Sequence, residues 1–454
     1  MKNHRNISPF PRILAVLFAV MACHNARAQF TVSGSEPFRT RWKSIDSPYY
    51  RIIYPEKMDS LARVYGRELE AARIPLGMSS GYAPGSIYHR KLPVVLHPFH
   101  ATANASVTWT PRRMDIFTVS DPFSPDGTPW PRDLALHEGR HASQMQFTGD
   151  GILFKTMKVL TGEAFAGALS AIFPGPALLE GDAVVAETAL SEAGRGREYS
   201  FLNYMVPAFD CGDWRNYWQW TNTSLTRYTP DYYRGGYMLV AGTRVFFDDP
   251  LFMDNYFRGA RNLRFFGLQH EVKKASGMKF NKAFRTIEEG FHKIWSEEAV
   301  RRAPFMEITP VSPTPKYHTA YRGTASDSKG WLYSRKSSLD KGGSLVRISP
   351  DGKEERLSSF AGGGVSTLKA DREGGKLWWS EIRNDARWDL RQSSDIRFIS
   401  FADPSRAHTL TKGRKYFNPT PSPDGKVLSV CEYADAGQYL LRLLDSASGK
   451  VISS

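Results

Sequence analysis

Apolar residues fall at helical spacing from Met58 to Arg73, where Leu61, Ala62, Val64, Tyr65, Leu69 and Ala72 share one face. The segments around this helix have a different texture. Residues 41–55, RWKSIDSPYYRIIYP, read as an opening strand, and RKLPVVLHP at 90–98 reads as a second, with turn residues on both sides. Val107-Thr-Trp and Met114-Asp-Ile-Phe-Thr-Val predict a third and a fourth, parted by Thr110-Pro-Arg-Arg. Pro131 opens a helix, since proline is tolerated in a first turn. From there to about Val300 the periodicity is mainly helical. Strands followed by helices predict an α+β class.

Residues 303–318 are proline-rich and break the periodicity, which places a linker at 306–318 between a unit at 29–305 and a second at 319–454. The second unit predicts short strands and glycine turns. Gly330-Trp-Leu-Tyr-Ser, Gly375-Lys-Leu-Trp-Trp and Gly425-Lys-Val-Leu-Ser recur at spacings of 45 and 50. Each precedes another apolar strand, at Leu345–Ile348, Ile396–Ile399 and Leu440–Leu443. A multi-stranded repeat of this length predicts β-propeller blades. About three are counted against the roughly four to eight that close a ring, so the chain is read as truncated or as borrowing blades from another copy.

The N-terminal residues change the picture of where the protein works. Lys2, Arg5 and Arg12 precede an apolar run, Ile13–Ala22, and Ala26-Arg27-Ala28 forms an A-x-A cleavage site. Residues 1–28 are therefore expected to be a signal peptide, giving an exported protein that is periplasmic, outer-membrane-associated or secreted. A lipoprotein box at Cys23 is the weaker alternative, because Met21 fits it poorly. No later segment is apolar enough to span a membrane. The formal charge of +14 falls to +10 once Lys2, Arg5, Arg12 and Arg27 are removed. No stripe of interleaved basic and aromatic residues accompanies it, so nucleic acid is not an expected partner. Cys211 and Cys431 are the cysteines left after residue 28, which excludes a disulfide framework and a cysteine-ligated metal.

The candidate chemistry lies in Leu134-Ala-Leu-His137-Glu138-Gly-Arg-His141. Two histidines four apart on a helix can turn their imidazoles to one ion, and Glu138, about 100° round from His137, lies beside that ion as a proton acceptor for its bound water. A catalytic zinc needs a third protein ligand and an open position. No histidine occurs between His141 and His270, and Gln144 and Phe147 stand where the extended HExxHxxGxxH pattern requires Gly and His. A carboxylate is thus the expected third ligand, with Asp150, Glu163, Glu180, Glu187 and Glu192 as candidates. Glu180 stands out: Pro176 opens its helix, and Gly181 removes a side chain beside the carboxylate so that another helix can approach.

The stretches HEGRH and LLEGDAVVAE together resemble the gluzincin metallopeptidases. RWKSIDSPYYRIIYP, KLPVVLHP, ASVTWTPRRMDIFT and LALHEGRHASQ, in that order, resemble the exported peptidase MA-like proteins, whose relatives continue into TolB-like propeller repeats. Ala177 departs from the bulky aromatic usual before the ligand helix. The resemblance implies a zincin-like domain followed by a partial propeller, and one Zn²⁺ held by His137, His141 and Glu180. It implies Glu138 as general base and acid, and Glu187 paired with a ligand histidine or an arginine. Asp231-Tyr-Tyr-Arg-Gly is similar to a gluzincin turn whose tyrosine stabilises the oxyanion. That makes Tyr232 the implied donor, with Tyr233 and Tyr237 as rivals. It also implies a strand that pairs with the extended substrate, either Met114–Val119 or Ala105–Trp109. The expected function is zinc-dependent hydrolysis of a peptide or protein substrate, with the propeller available to a protein partner. Two other readings stay open: a non-catalytic binding or scaffold protein on the same fold, and a hydrolase of cell-wall material.

Overall fold

The computed structural model describes residues 35–453 except 83–90, 110, 122–126, 165–173, 263, 265, 361–363 and 372–374. The expected signal peptide and Cys23 lie outside the described residues. The described chain is mixed α and β, with one five-stranded sheet, a set of helices and three four-stranded sheets.

The first sheet is built from β1 (Trp42–Asp46), β2 (Tyr50–Pro55), β3 (Leu92–His97), β4 (Asn104–Trp109) and β5 (Arg112–Phe117) in the order β1-β2-β3-β5-β4. The pairs β2–β3 and β3–β5 are parallel, whereas β1–β2 and β4–β5 are antiparallel. Helix α1 (Asp59–Met78) makes the crossover from β2 to β3. Its buried residues Ala62, Tyr65, Leu69, Ala72 and Leu76 advance by three and four, which is the face read from the sequence. They pack on Tyr50, Ile52, Leu92, Val94, Met114 and Ile116 of the sheet, together with Leu134, Ala135 and Ala142 of α2 (Trp130–Gly149).

Both candidates for a substrate-pairing strand belong to one hairpin, and the topology separates them. Met114 lies in β5, which is flanked by β3 and β4, so its backbone is already paired on both sides. β4 is the edge strand. The Met114–Val119 alternative is therefore corrected: an interior strand has no free N–H and C=O row to offer.

Helices α3 (Ile152–Thr161), α4 (Pro176–Ala189), α5 (Tyr199–Leu202), α6 (Met205–Asp210), α7 (Tyr217–Thr221), α8 (Tyr232–Phe246), α9 (Phe252–Arg261), α10 (Gly267–Ser276) and α11 (Phe280–Arg302) follow. A second core links α4, α8 and α11 through Leu178, Leu179, Met238, Leu239, Phe284 and Ile287. The closest approach is between α4 and α8. A Cβ on Gly181 would lie 2.1 Å from the Gly236 carbonyl carbon, and one on Gly236 would lie 1.7 Å from Ala177 O. Only hydrogen at both positions permits this contact.

Residues 303–318 contain no helix or strand. Beyond them come β6–β9 (Thr319–Ser326, Leu332–Ser338, Ser344–Ile348, Glu354–Ser359), β10–β13 (Lys369–Asp371, Lys376–Asn384, Gln392–Ser400, Ala407–Thr409) and β14–β17 (Tyr416–Pro421, Val427–Tyr433, Tyr439–Asp445, Val451–Ser453). Each group of four forms one antiparallel meander. The apolar stretches that repeat in the sequence occupy the second and third strands of each sheet. The last two sheets dock beside the first: Ser120 N and Oγ lie 2.6 and 2.7 Å from Tyr439 Oη of β16, and Ala101 and Val119 share a small core with Ile382 of β11, Phe417 of β14 and Tyr433 of β15.

Candidate metal centre

Helix α2 carries His137, Glu138 and His141 on its buried side. Pro129 precedes the helix, Pro131 sits in its first turn, and the run from Leu134 to Gln144 is buried throughout. The histidine rings stand 4.9 Å apart at 87°. Glu180 enters from α4, which crosses α2. Its Oε2 lies 3.1 Å from His137 Nε2 and 3.1 Å from His141 Nε2, and the two Nε2 atoms are 3.3 Å apart. Among the described residues this trio forms a metal-compatible cluster, with both histidines buried and Glu180 half-buried.

The outer nitrogens fix what the inner ones do. His141 Nδ1 faces Gln144 Oε1 at 2.9 Å. The Gln144 amide nitrogen donates to Leu179 O at 3.1 Å and to Asp182 Oδ2 at 2.7 Å, so Oε1 is the acceptor and His141 Nδ1 must carry the proton. His137 Nδ1 lies 2.8 Å from Glu187 Oε2, again a proton acceptor, and 2.8 Å from Arg195 Nη2, which donates to that same carboxylate oxygen at 2.9 Å. With the His137 proton on Nδ1 toward Glu187, both Nε2 atoms are bare lone pairs in the neutral tautomers, aimed at a carboxylate oxygen. Three acceptors at 3.1–3.3 Å repel one another unless a cation sits between them. Ligands about 2.0–2.1 Å from a tetrahedral zinc lie roughly 3.3 Å from each other, which is this spacing. The donor set, two imidazoles and one carboxylate, also fits zinc.

The electrostatics agree. Burial opposes charge on His137, and so does Arg195, but the carboxylates of Glu180 and Glu187 outweigh both and hold its pKa up at about 10. His141 is raised in the same way, against its burial, by Glu180. Burial pushes Glu180 upward, yet the two histidines pull it well below the ordinary carboxylate range. The centre favours a positive charge, whether proton or metal. Glu138 differs from these groups. It is buried, its pKa is raised by that burial, and its Oε2 has no hydrogen-bond partner among the described residues. A desolvated carboxylate with an open oxygen next to the cluster is a proton acceptor waiting for a partner.

Glu187 pairs with both His137 and Arg195. Besides His137 it accepts from Arg195 Nε at 2.8 Å, Arg195 Nη2 at 2.9 Å and the Arg195 backbone N at 3.1 Å. Gly194, at φ 91°, turns the chain back over the end of α4 so closely that a Cβ there would meet Thr188 Cα at 2.7 Å. That turn delivers Arg195. A second anchor lies behind the histidines. Arg140 and Asp182 are fully buried and form a fork, Nε–Oδ2 2.7 Å and Nη2–Oδ1 3.0 Å. Neither Arg195, nor the Arg140–Asp182 pair, nor the orienting role of Gln144 is apparent from sequence spacing.

Tyr232 and Tyr233 open α8 with their rings 5.1 Å apart. Tyr233 stacks toward His137 at 6.3 Å between centroids, and its burial and the nearby Glu180 hold its hydroxyl proton strongly. Tyr233 lines a cavity of about 540 Å³ with His137, Arg195, Asn104, Ala105 and Tyr439; Tyr232 is not part of that wall. Tyr237 is turned away, its ring against Phe201 and Gly196. Of the other carboxylates considered from the sequence, Asp150 accepts from Tyr82 and Glu163 pairs with Lys158, both outside the cluster. Glu192 follows the end of α4 and is also outside it.

No helix among the described residues is long and apolar enough to cross a membrane. No known family matches the chain, and no curated protein does. Among solved structures, TolB from Acinetobacter baumannii is similar at 14% identity over 28% of this chain and 31% of that one, with a TM-score of 0.24. A nidogen/laminin complex gives 16% identity, 29% and 46% coverage and a TM-score of 0.23. A putative TolB from Agrobacterium tumefaciens gives 14%, 27% and 40%, and 0.22. The chain spans less than half the length of each of these structures. Likenesses of this size assign neither fold nor activity.

Proposed function

We propose that the chain is an exported zinc-dependent peptidase of the gluzincin type, with its three C-terminal sheets as blades of a partial propeller. The observation that carries the reading is the set of three converging lone pairs, on His137, His141 and Glu180, beside the unpartnered carboxylate oxygen of Glu138. A zinc ion held by that trio would supply Lewis acidity toward a substrate carbonyl and toward water.

The chain's own residues do the rest. The free edge of β4 binds an extended substrate backbone through strand pairing, and Asn104 and Ala105 of that strand line the cavity beside His137. Glu138 Oε2 accepts a proton from the attacking water, and its burial keeps it basic enough to do so. The same carboxyl then returns the proton to the leaving amine. Tyr233 is favoured over Tyr232 as the donor to the developing oxyanion, because it faces the cavity and holds its proton. Glu187, braced by Arg195, and Gln144 orient the two imidazoles from behind.

The experiment is a metal count on residues 29–454 and on Glu180→Ala, followed by digestion of a peptide library with Glu138→Gln as control. One zinc per chain, lost in the first variant, and cleavage lost in the second support the reading. A wild type that takes up no metal refutes it. Zinc retained with no cleavage moves the chain to the scaffold reading. Cleavage of purified sacculi but not of peptides moves it to cell-wall material.

A further inference from the structure

A second cavity, of about 500 Å³, lies at the seam between the first sheet's lobe and the last two sheets, and the proposed peptidase chemistry makes no use of it. Its wall is unusually cationic. Arg391, Arg414, Lys415 and Arg442 face Glu432 and Asp435, which leaves an excess of two positive charges. Glu432 is already committed to Arg442, Oε2 to Nε at 2.7 Å. Among the described residues the Arg391 guanidinium has one long acidic contact, with Asp385 at 3.6 Å. The Arg414 guanidinium has no acceptor among the described residues. Lys415 donates to the neutral carbonyl of Pro98 and sits over the Tyr433 ring. Its burial, with Arg391 nearby, drives its pKa down to about 7 even though Asp435 pulls the other way. Three cations thus line one cavity with one acid left to balance them, and Lys415 is part-buried there.

We propose that this cavity binds a phosphate group, free or carried on a small organic molecule, through Lys415, Arg414 and Arg391. A phosphate brings close to two negative charges at neutral pH, matching the local excess, whereas a carboxylate brings one. It also offers enough oxygens to accept from an ammonium and two guanidinium groups at once. The seam itself is held by a few polar contacts. Gln392 N donates to Phe99 O at 2.9 Å, and Gln392 Oε1 accepts from Ala101 N at 3.2 Å and Thr102 Oγ1 at 2.9 Å.

The test is isothermal titration of the whole chain with inorganic phosphate and with glycerol 3-phosphate, each against chloride at matched ionic strength. It is paired with thermal unfolding in the same buffers. One saturable site per chain is expected, with a midpoint that rises and levels off with phosphate. Lys415→Met and Arg414→Gln should each weaken binding by about tenfold or more. Arg414 is exposed, so its variant decides the matter if the lysine variant fails to fold. His141→Ala should leave the binding intact, which separates this site from the metal centre. Tighter binding of the organic phosphate assigns a carried group, and tighter binding of the inorganic ion assigns free phosphate. No saturable binding beyond chloride overturns the proposal. So does binding untouched by both seam variants, or binding lost only in His141→Ala.

Discussion

Replacing Arg140 by methionine removes one side of a buried ion pair on which the metal centre rests. The guanidinium is fully buried and its five N–H groups face six acceptors, two on Asp182 and four at the end of α1, where the two Nη1 hydrogens are shared among Leu76 O, Ser79 Oγ and Ser80 Oγ and Nη2 reaches Ser79 O. Leu76 O keeps a donor without it, since Ser80 Oγ lies 2.9 Å away. Asp182 fares worse. It retains Gln144 Nε2 at 2.7 Å and a distant Arg244 at 3.9 Å, too little for a carboxylate that is 1% exposed. Stranding a buried charge costs about 3–5 kcal/mol. Asp182→Ala strands the arginine instead, though Arg140 keeps its four acceptors at the end of α1, so the loss should sit at the lower end of that range. The double variant Arg140→Met/Asp182→Leu strands neither charge and should cost less than either single change, a coupling of at least about 2 kcal/mol. Urea unfolding followed by circular dichroism measures all three. Single losses below about 1 kcal/mol, or additive losses, would refute the argument. The Asp182→Ala protein carries a second readout. Without that carboxylate the Gln144 amide is held by Leu179 O alone, the orientation that fixes the His141 tautomer is weakened, and zinc affinity should fall even where the fold survives.

Four further outcomes follow from the same geometry. Glu187→Gln should weaken zinc binding by about 10–100-fold in a chelator competition, because it removes the charge that His137 and Arg195 share. Tyr233→Phe should lower kcat by about 100-fold with KM little changed, and Tyr232→Phe should leave both within a few-fold; the reverse order would restore Tyr232 as the donor. Gly236→Ala should fail to reach the native α4–α8 contact, read as loss of soluble protein or of a cooperative transition, since its Cβ would lie 1.7 Å from Ala177 O. His97 touches Glu36 at 2.7 Å and Asp115 at 2.9 Å; burial works against its charge, yet these carboxylates hold its pKa at about 9. Its contribution is therefore complete below about pH 6.5 and is lost as pH rises through about 9, roughly 3 kcal/mol in all. Lys415, lowered to about 7, changes stability in the opposite sense across part of this range. The measurement is therefore the difference between wild type and His97→Gln, which should shrink over that window.

What could be read from the sequence was what repeats at short range. The face of α1 follows from residues three and four apart, and the pairing of His137 with His141 follows from one turn of a helix. The apolar strands of the C-terminal sheets follow from a period near 45 residues. Glu180 was legible for a subtler reason: Gly181 beside it announced a close helix, and that helix is α8, which brings Gly236 and, one turn earlier, the tyrosines. The choice between Tyr232 and Tyr233 depends on the rotational phase with which α8 begins, and neighbours in sequence point about 100° apart, so no spacing rule decides it. The edge of the sheet was equally hidden. β4 and β5 are two halves of one hairpin, and only the parallel pairing of β3 with β5 leaves β4 at the edge. The Arg140–Asp182 pair, 42 residues apart, leaves no periodic trace because it is a long-range contact, and Arg195, eight residues past Glu187, meets it across a turn and not along a helix face. The Gly194-Arg195-Gly196 turn is the nearest thing to a signal, since a glycine at positive φ after a helix marks a chain folding back on it. The His137, His141 and Glu180 cluster is therefore the legible part of the site, and the groups that orient it are not. An imidazole can be placed by counting along one helix, but the proton on its far nitrogen is set by whichever distant side chain the fold delivers there.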